Sequence, residues 1–185
     1  MGFRMITTQS LFDSLPEKIL LVGNANITNK AEIIDSYDYV IRFNDFKITG
    51  YEQHVGTKIS SICFFSPIFS HGDGIKLKEN YTLYKDEITI FTIKYFNYAP
   101  LKNILMPEQT TKIIDQHPIN KGITLTTGCA LALNLSIFWD RQVDMIGFDF
   151  LKTGHYYDEN HVHYTSHDGN LEQKILKTCK NVTII

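Results

Sequence analysis

The sequence predicts an α/β fold in one domain, a mainly parallel sheet flanked by helices on both faces. Three observations lead there. Short apolar runs of β type alternate along the chain with helical segments. The length, 185 residues, suits a single domain over 1–185. Hydrophobic residues at 43% and charged residues at 21% supply a layered core under an ordinary soluble surface. No internal repeat or low-complexity linker divides the chain.

The elements follow in order. "KILLVGNA" (18–25) is a short strand ending in Gly and Asn, and "KAEIIDSY" (30–37) carries a short helix at best. "YDYVIRFN" (37–44) is the second strand. "TKISSICFFS" (57–66) is the third, stopped by Pro67, and "DEITIFTIKY" (86–95) alternates as the fourth. "PLKNILMPEQTTKIIDQH" (100–117) reads as a helix interrupted at Pro107. "GCALALNLSIFWD" (128–140) is a strongly apolar helix rich in Ala and Leu. "QVDMIGFDF" (142–150) is a strand, "GNLEQKILKTCK" (169–180) an amphipathic helix and "NVTII" a last strand. The polar, aromatic-rich stretch 151–167 is the longest without an element, and long irregular loops of this kind often carry function.

Charge and cysteines narrow the function classes. A net charge of -2 and no Lys/Arg-rich run argue against a nucleic-acid partner. The opening residues hold no apolar run long enough for a signal peptide or transmembrane segment, and Ile6 breaks the myristoylation pattern at Gly2. Three cysteines, Cys63, Cys129 and Cys179, lie in apolar stretches and read as buried free thiols. The expected compartment is the cytoplasm. Peripheral membrane association and oligomeric state are not fixed by the sequence.

Polar groups collect at the strand ends. The first strand ends at Gly23-Asn24, the second at Asn44 and the third at Ser66. In a parallel sheet these ends gather at one edge, where such folds bind ligands. Asn offers a donor and acceptors to ribose hydroxyls, phosphate or base edges. Read singly, each Asn equally suits a turn; two on neighbouring strands favour a ligand. Thr126, Thr127 and Gly128 precede the apolar helix, whose N-terminus suits a phosphate, while Thr127 equally suits a simple N-cap. "GNANIT" lacks the glycine spacing of a dinucleotide fingerprint, and no P-loop is present. His155, His161, His163 and His167 form a cluster, but their spacing matches no standard zinc pattern. No Asp-x-Asp occurs to grip a divalent metal on a nucleotide diphosphate. No metal and no cofactor are expected.

The motifs resemble a known family. "ILLVGNANITNKAEIIDSYDYVIRFNDFKITGYEQHVGTKIS" (19–60) resembles the large sialylmotif of the animal-type sialyltransferases, glycosyltransferase family 29. "TTGCALALNLSIFWDRQVDMIGFDF" (126–150) resembles the small sialylmotif, "HYYDEN" (155–160) the third motif and "HDGNLE" (167–172) the very small motif. Bacterial sialyltransferases of family 42 share a similar plan, with likenesses at "SICFFSPIFS" and "HYTSHDGNLE".

The resemblance implies a Rossmann-like, GT-A-like variant fold and a metal-independent, inverting transfer of a sugar acid from a CMP-linked donor. It implies that Asn24 and Asn44 contact the donor's phosphate and ribose, and that Thr126, Thr127 and Gly128 hold the nucleotide and acidic sugar. Gly147 would lie under the cytidine, His155 would stabilise the departing phosphate, and His167 would be the catalytic base. Tyr156 and Tyr157 could add hydroxyl donors. The animal enzymes join the large and small motifs by a disulfide. Ile19 and Trp139 stand at those positions here, which fits a reducing cytosol and suggests a bacterial enzyme. "HDG" places His167 beside Asp168, the expected N-cap of the next helix, whose positive end would keep the imidazole a free base.

The reading is therefore a sialyltransferase-type enzyme that moves sialic acid, or a related 2-keto sugar acid such as Kdo, to a glycan acceptor. A bacterial surface polysaccharide or lipooligosaccharide is the natural acceptor. Two rivals remain at this stage: a non-catalytic CMP-binding module, and a metal-dependent hydrolase built on the His155–His167 cluster.

Overall fold

A computed structural model describes residues 15–64, 68–71, 74–84, 87–92, 125–138, 142–162 and 167–185. Its elements are β1 (Lys18–Val22), α1 (Ala31–Asp35), β2 (Tyr39–Phe43), α2 (Glu52–Val55), β3 (Ser61–Phe64), β4 (Ile68–His71), β5 (Gly74–Leu77), α3 (Glu79–Tyr84), β6 (Thr89–Thr92), α4 (Thr127–Phe138), β7 (Gln142–Ile146), α5 (Gly169–Leu176) and β8 (Val182–Ile184).

Six strands form one sheet in the order β6-β3-β2-β1-β7-β8, and every pairing in it is parallel. The Rossmann-like α/β expectation is met. Chain reversal between parallel strands requires crossovers, and these place layers on both faces. Alternation along β1 and β2 assigns the faces. Ile19, Leu21, Ile41 and Phe43 pack with Val143 and Met145 against α4 and Leu176 of α5. Leu20, Val22 and Val40 pack with Ile146 against Ile34 of α1 and Val55 of α2. β1 is central, which is why "ILLV" is apolar on both faces.

Arg42 breaks that apolar pattern. It is fully buried, and its guanidinium donates to the carbonyls of Val55, Gly56 and Lys58, tying β2 to the C-terminus of α2. Burial lowers its pKa to about 10.

Several elements differ from the sequence reading. The strand expected over 142–150 stops at Ile146, because Gly147 at φ +73° turns the chain out of the sheet. The helix expected to 180 stops at Leu176, where the Thr178 hydroxyl binds the Ile175 carbonyl. Helix α2, the β4–β5 antiparallel hairpin and helix α3 were not foreseen. Each is four to six residues long, too short to show a periodicity. The helix expected over 100–117 lies outside the described residues. Cys63 and Cys129 are buried free thiols as expected, but Cys179 is only half-buried.

Candidate active site

Parallel pairing brings the C-terminal ends of β1, β2, β3 and β7 to one edge of the sheet. Two glycines let β1 and β7 leave it together. The Gly23 N–H donates to Ile146 O at 2.8 Å, and the Ala25 N–H to Gly147 O at 3.1 Å. A Cβ on Gly23 would lie 2.3 Å from Gly147 O, and one on Gly147 would lie 2.5 Å from Ile27 Cδ1. Gly23 is thus required by the crossing of the backbones, and Gly147 by its φ of +73° and the Ile27 side chain, before any ligand is considered.

The two strand-end asparagines diverge. The Asn24 Nδ2 donates to Phe43 O at 3.1 Å, while its Oδ1 is buried with no hydrogen-bond partner among the described residues. Such an acceptor loses its hydration and gains nothing until a donor reaches it. Asn44 adopts a left-handed conformation (φ +51°), and its Nδ2 donates to Thr127 Oγ1 at 3.3 Å. Asn tolerates this conformation better than most residues.

The start of α4 is claimed by groups within the protein. The Thr126 N–H donates to Glu172 Oε1 at 2.6 Å, and the Thr126 hydroxyl to Glu172 Oε2 at 2.7 Å. Thr127 is buried. A Cβ on Gly128 would sit 2.1 Å from Phe148 Cε1, so the glycine makes room for the Phe148 ring. That ring in turn packs edge-to-face on Phe43 with centroids 5.7 Å apart. Burial pushes the Glu172 carboxyl up, and the Thr126 bonds and the nearby His167 pull it back in part. Glu172 is 2% exposed, and its carboxylate stands where the helix N-terminus would otherwise face an anion.

His167 precedes α5. Asp168 is the N-cap (φ -126°, ψ 98°), and its Oδ1 accepts from the Leu171 N–H at 3.0 Å, as expected. A Cβ on Gly169 would fall 1.9 Å from Phe150 O, so α5 begins pressed on the backbone that follows β7. The Glu172–Thr126 clamp joins the starts of α4 and α5, and half-buried His167 sits at that junction.

The stretch 151–162 is ordered by turns and rings. Phe150 and Leu151 both take positive φ, 59° and 66°. His155 and Asp158 exchange two backbone hydrogen bonds, at 2.9 and 3.0 Å. The His155 ring stacks on His161 with centroids 3.7 Å apart and lies 5.1 Å from Tyr157. The Tyr156 N–H donates to Asn24 O at 2.9 Å, which ties this turn to the end of β1.

The Tyr156 hydroxyl has a partner that the sequence did not show. It accepts from the Lys47 N–H at 2.9 Å and donates to the Lys47 carbonyl, so it braces the loop after β2. Tyr157 carries the Lys47 ammonium over its ring, 5.5 Å from the centroid, and burial raises its phenol. Among the described residues no three of His, Cys, Asp and Glu are grouped so as to hold a metal ion. His163 and Ser66 lie outside them.

These positions can be set beside known proteins. The profile described as glycosyltransferase family 29 (sialyltransferase) matches residues 18–112, just over half of the chain. The chain belongs to glycosyltransferase family 29. Solved structures agree in fold. A mammalian sialyltransferase superposes with a TM-score of 0.61 at 17% identity, covering 91% of this chain and 68% of that one. The monofunctional α-2,3-sialyltransferase Cst-I from Campylobacter jejuni gives 0.57 at 16% identity, over 91% of this chain and 75% of that one. CstII from the same organism, in complex with the substrate analogue CMP-3FNeuAc, gives 0.56 at 17%, over 90% and 81%. No curated protein matches the chain by sequence.

The family-29 profile spans Asn24 and Asn44, whereas Thr126, Thr127, Gly128, Gly147, His155 and His167 lie beyond it. The fold nevertheless links them to the same sheet edge through the Asn44–Thr127, Thr126–Glu172 and Asn24–Tyr156 hydrogen bonds. Glu172 was legible as part of a motif but not as the partner of Thr126. Asn80 and Lys47 carried no signal at all.

Proposed function

We propose that this family-29 enzyme transfers sialic acid, or a related 2-keto sugar acid such as Kdo, from a CMP-linked donor to a glycan with inversion and without a metal. A bacterial surface polysaccharide or lipooligosaccharide is the acceptor in this reading, and the cytoplasm its compartment. Among the described residues no helix is long and apolar enough to cross a membrane.

The observation that carries the reading is the junction at His167. A histidine stands at the start of α5, and the Glu172–Thr126 clamp fixes that start beside α4 and the Asn44 contact. A base near neutral pKa suits removal of a hydroxyl proton. In the proposed step His167 takes the acceptor hydroxyl's proton as the oxygen attacks the anomeric carbon. The bond from that carbon to the phosphate oxygen breaks, and CMP leaves with the electron pair. His155 offsets the phosphate's growing charge. The orphan Oδ1 of Asn24 suits a ribose hydroxyl. The Campylobacter CstII complex with CMP-3FNeuAc, on the same fold, supports a CMP-linked donor.

Calorimetric titration of CMP and UMP in EDTA tests the donor, with His155→Ala beside wild type. CMP preference weakened by His155→Ala supports the reading. Absence of CMP binding, or binding only with added metal, overturns it. Tight CMP binding with no turnover of CMP-sialic acid across glycan acceptors would make the protein a binding module.

A further inference from the structure

We infer that Asn80 is a positioning residue of the donor site, holding Asn44 in the geometry that binds the nucleotide. This rests on the donor-site reading of Asn44. Asn80 lies in α3, in a stretch to which no role has so far been attached. The residue is 8% exposed, and its Nδ2 donates to two backbone carbonyls, Asn44 O at 3.0 Å and Phe46 O at 2.9 Å.

The location gives those bonds their meaning. Asn44 is the first residue past β2, where the chain swings from the sheet into a left-handed conformation (φ +51°). Its N–H still bonds Cys63 O at 3.1 Å, while its carbonyl accepts from the Asn80 side chain. A half-buried carbonyl at a strand end is partly shielded from water, so a donor supplied by the fold steadies a turn of this shape. Asn80 supplies it twice, on either side of Asp45. With the carbonyl fixed, the Asn44 side chain is directed toward Thr127.

Other groups also hold α3 and the residue before it in place. Lys78 pairs with Asp45 at 3.0 Å. Tyr84 stacks on Phe46 with centroids 6.1 Å apart, and Tyr81 meets Phe64 at 6.2 Å. This separates two roles that can be tested apart: packing α3 on the loop, and setting Asn44.

A double-mutant cycle makes the test. CMP affinity is measured by calorimetry for wild type, Asn80→Ala, Asn44→Ala and the double variant, with Tyr84→Ala as a packing control. Folding of each is checked by circular dichroism. Asn80→Ala is expected to weaken CMP roughly tenfold. In the Asn44→Ala background the same change should add less than about twofold, because it acts through a side chain already gone. Tyr84→Ala should lower the melting temperature yet keep CMP affinity within about twofold.

Wild-type affinity in folded Asn80→Ala, an undiminished effect in the Asn44→Ala background, or an equal loss in Tyr84→Ala would each overturn the proposal. If Asn80→Ala does not fold, Asn80→Ser retains one donor and should show an intermediate loss; no loss overturns it. Amide hydrogen exchange at Asn44 reads the positioning with no ligand. It should speed up roughly tenfold in Asn80→Ala; unchanged exchange overturns the inference. Failure of wild type to bind CMP would instead sink the donor reading, and the exchange measurement would still decide what Asn80 does.

Discussion

The two helix starts at the site, those of α4 and α5, share a local cap but differ in what else holds them. α5 is capped locally: Asp168 accepts from Leu171 three residues on. α4 has a local cap of the same kind, the Cys129 N–H on the Thr126 hydroxyl oxygen at 3.4 Å, and adds a remote one: Thr126 gives its N–H and hydroxyl to Glu172, a residue of α5 that is 46 positions away. The local cap leaves His167 outside the helix. The remote cap spends a buried carboxylate on the N-terminus of α4. A helix start already holding an anion has less attraction left for a phosphate, so in the proposed donor site less of the charge would fall to α4 and more to His155 and the asparagines.

The largest effect should come from the α5 side. His167→Ala is expected to lower turnover of CMP-sialic acid by about 10²–10⁴-fold, while calorimetric CMP affinity and melting temperature stay close to wild type. Equal loss of CMP binding would mean that His167 holds donor rather than serving as base.

Glu172→Ala strikes both starts at once. It leaves the Thr126 N–H and hydroxyl without their acceptor, at a cost of about 1–3 kcal/mol. Thermal unfolding should therefore shift down by about 2–4 °C per kcal/mol. The pH dependence has a definite sign. Burial raises the Glu172 carboxyl above its ordinary 4.5. The folded protein then binds that proton more tightly than the unfolded chain does. The associated stability is full below the unfolded value and is lost as pH rises through the folded one. Glu172→Gln cannot titrate, so its melting temperature should gain on wild type as pH rises from about 4 to neutrality. A gap that widens the other way would contradict the burial argument.

Gly128→Ala probes the α4 side alone. Its methyl would meet the Phe148 ring, so repacking should cost about 1–3 kcal/mol. Phe148→Leu in the same chain should recover part of that loss in a thermal melt, and no recovery would place the strain elsewhere. Asp168→Ala should have the smallest effect, about 1 kcal/mol, seen as a melting shift with little change in CMP affinity. A larger loss of turnover than of stability would show that the cap also orients His167.

The same contrast explains what could be read in advance. The strands β1, β2, β3 and β7 and the helices α4 and α5 were legible, because a run such as "ILLV" or an amphipathic period states its own burial. Asp168 was legible as a cap because its partner is three residues along. The hold of Tyr156 on the Lys47 backbone was not legible because the two are 109 positions apart. Glu172 was recognised only as part of a pattern, and Asn80 not at all, since a single Asn in a six-residue helix leaves no periodic trace.

The sequence by itself determined the alternation of strands and helices, the parallel sheet and the collection of Asn, Thr and His at its C-terminal edge. These follow from local propensities and from the burial demanded by apolar periodicity. Only the tertiary structure decided how those residues are held: Glu172 on Thr126, Tyr156 on Lys47, Asn80 on Asn44 and Phe148 over Gly128. Each is a contact between positions far apart in the chain, selected by the geometry of the crossovers. A hydrogen bond of that kind depends on where two backbones finally lie, which residue type alone does not encode.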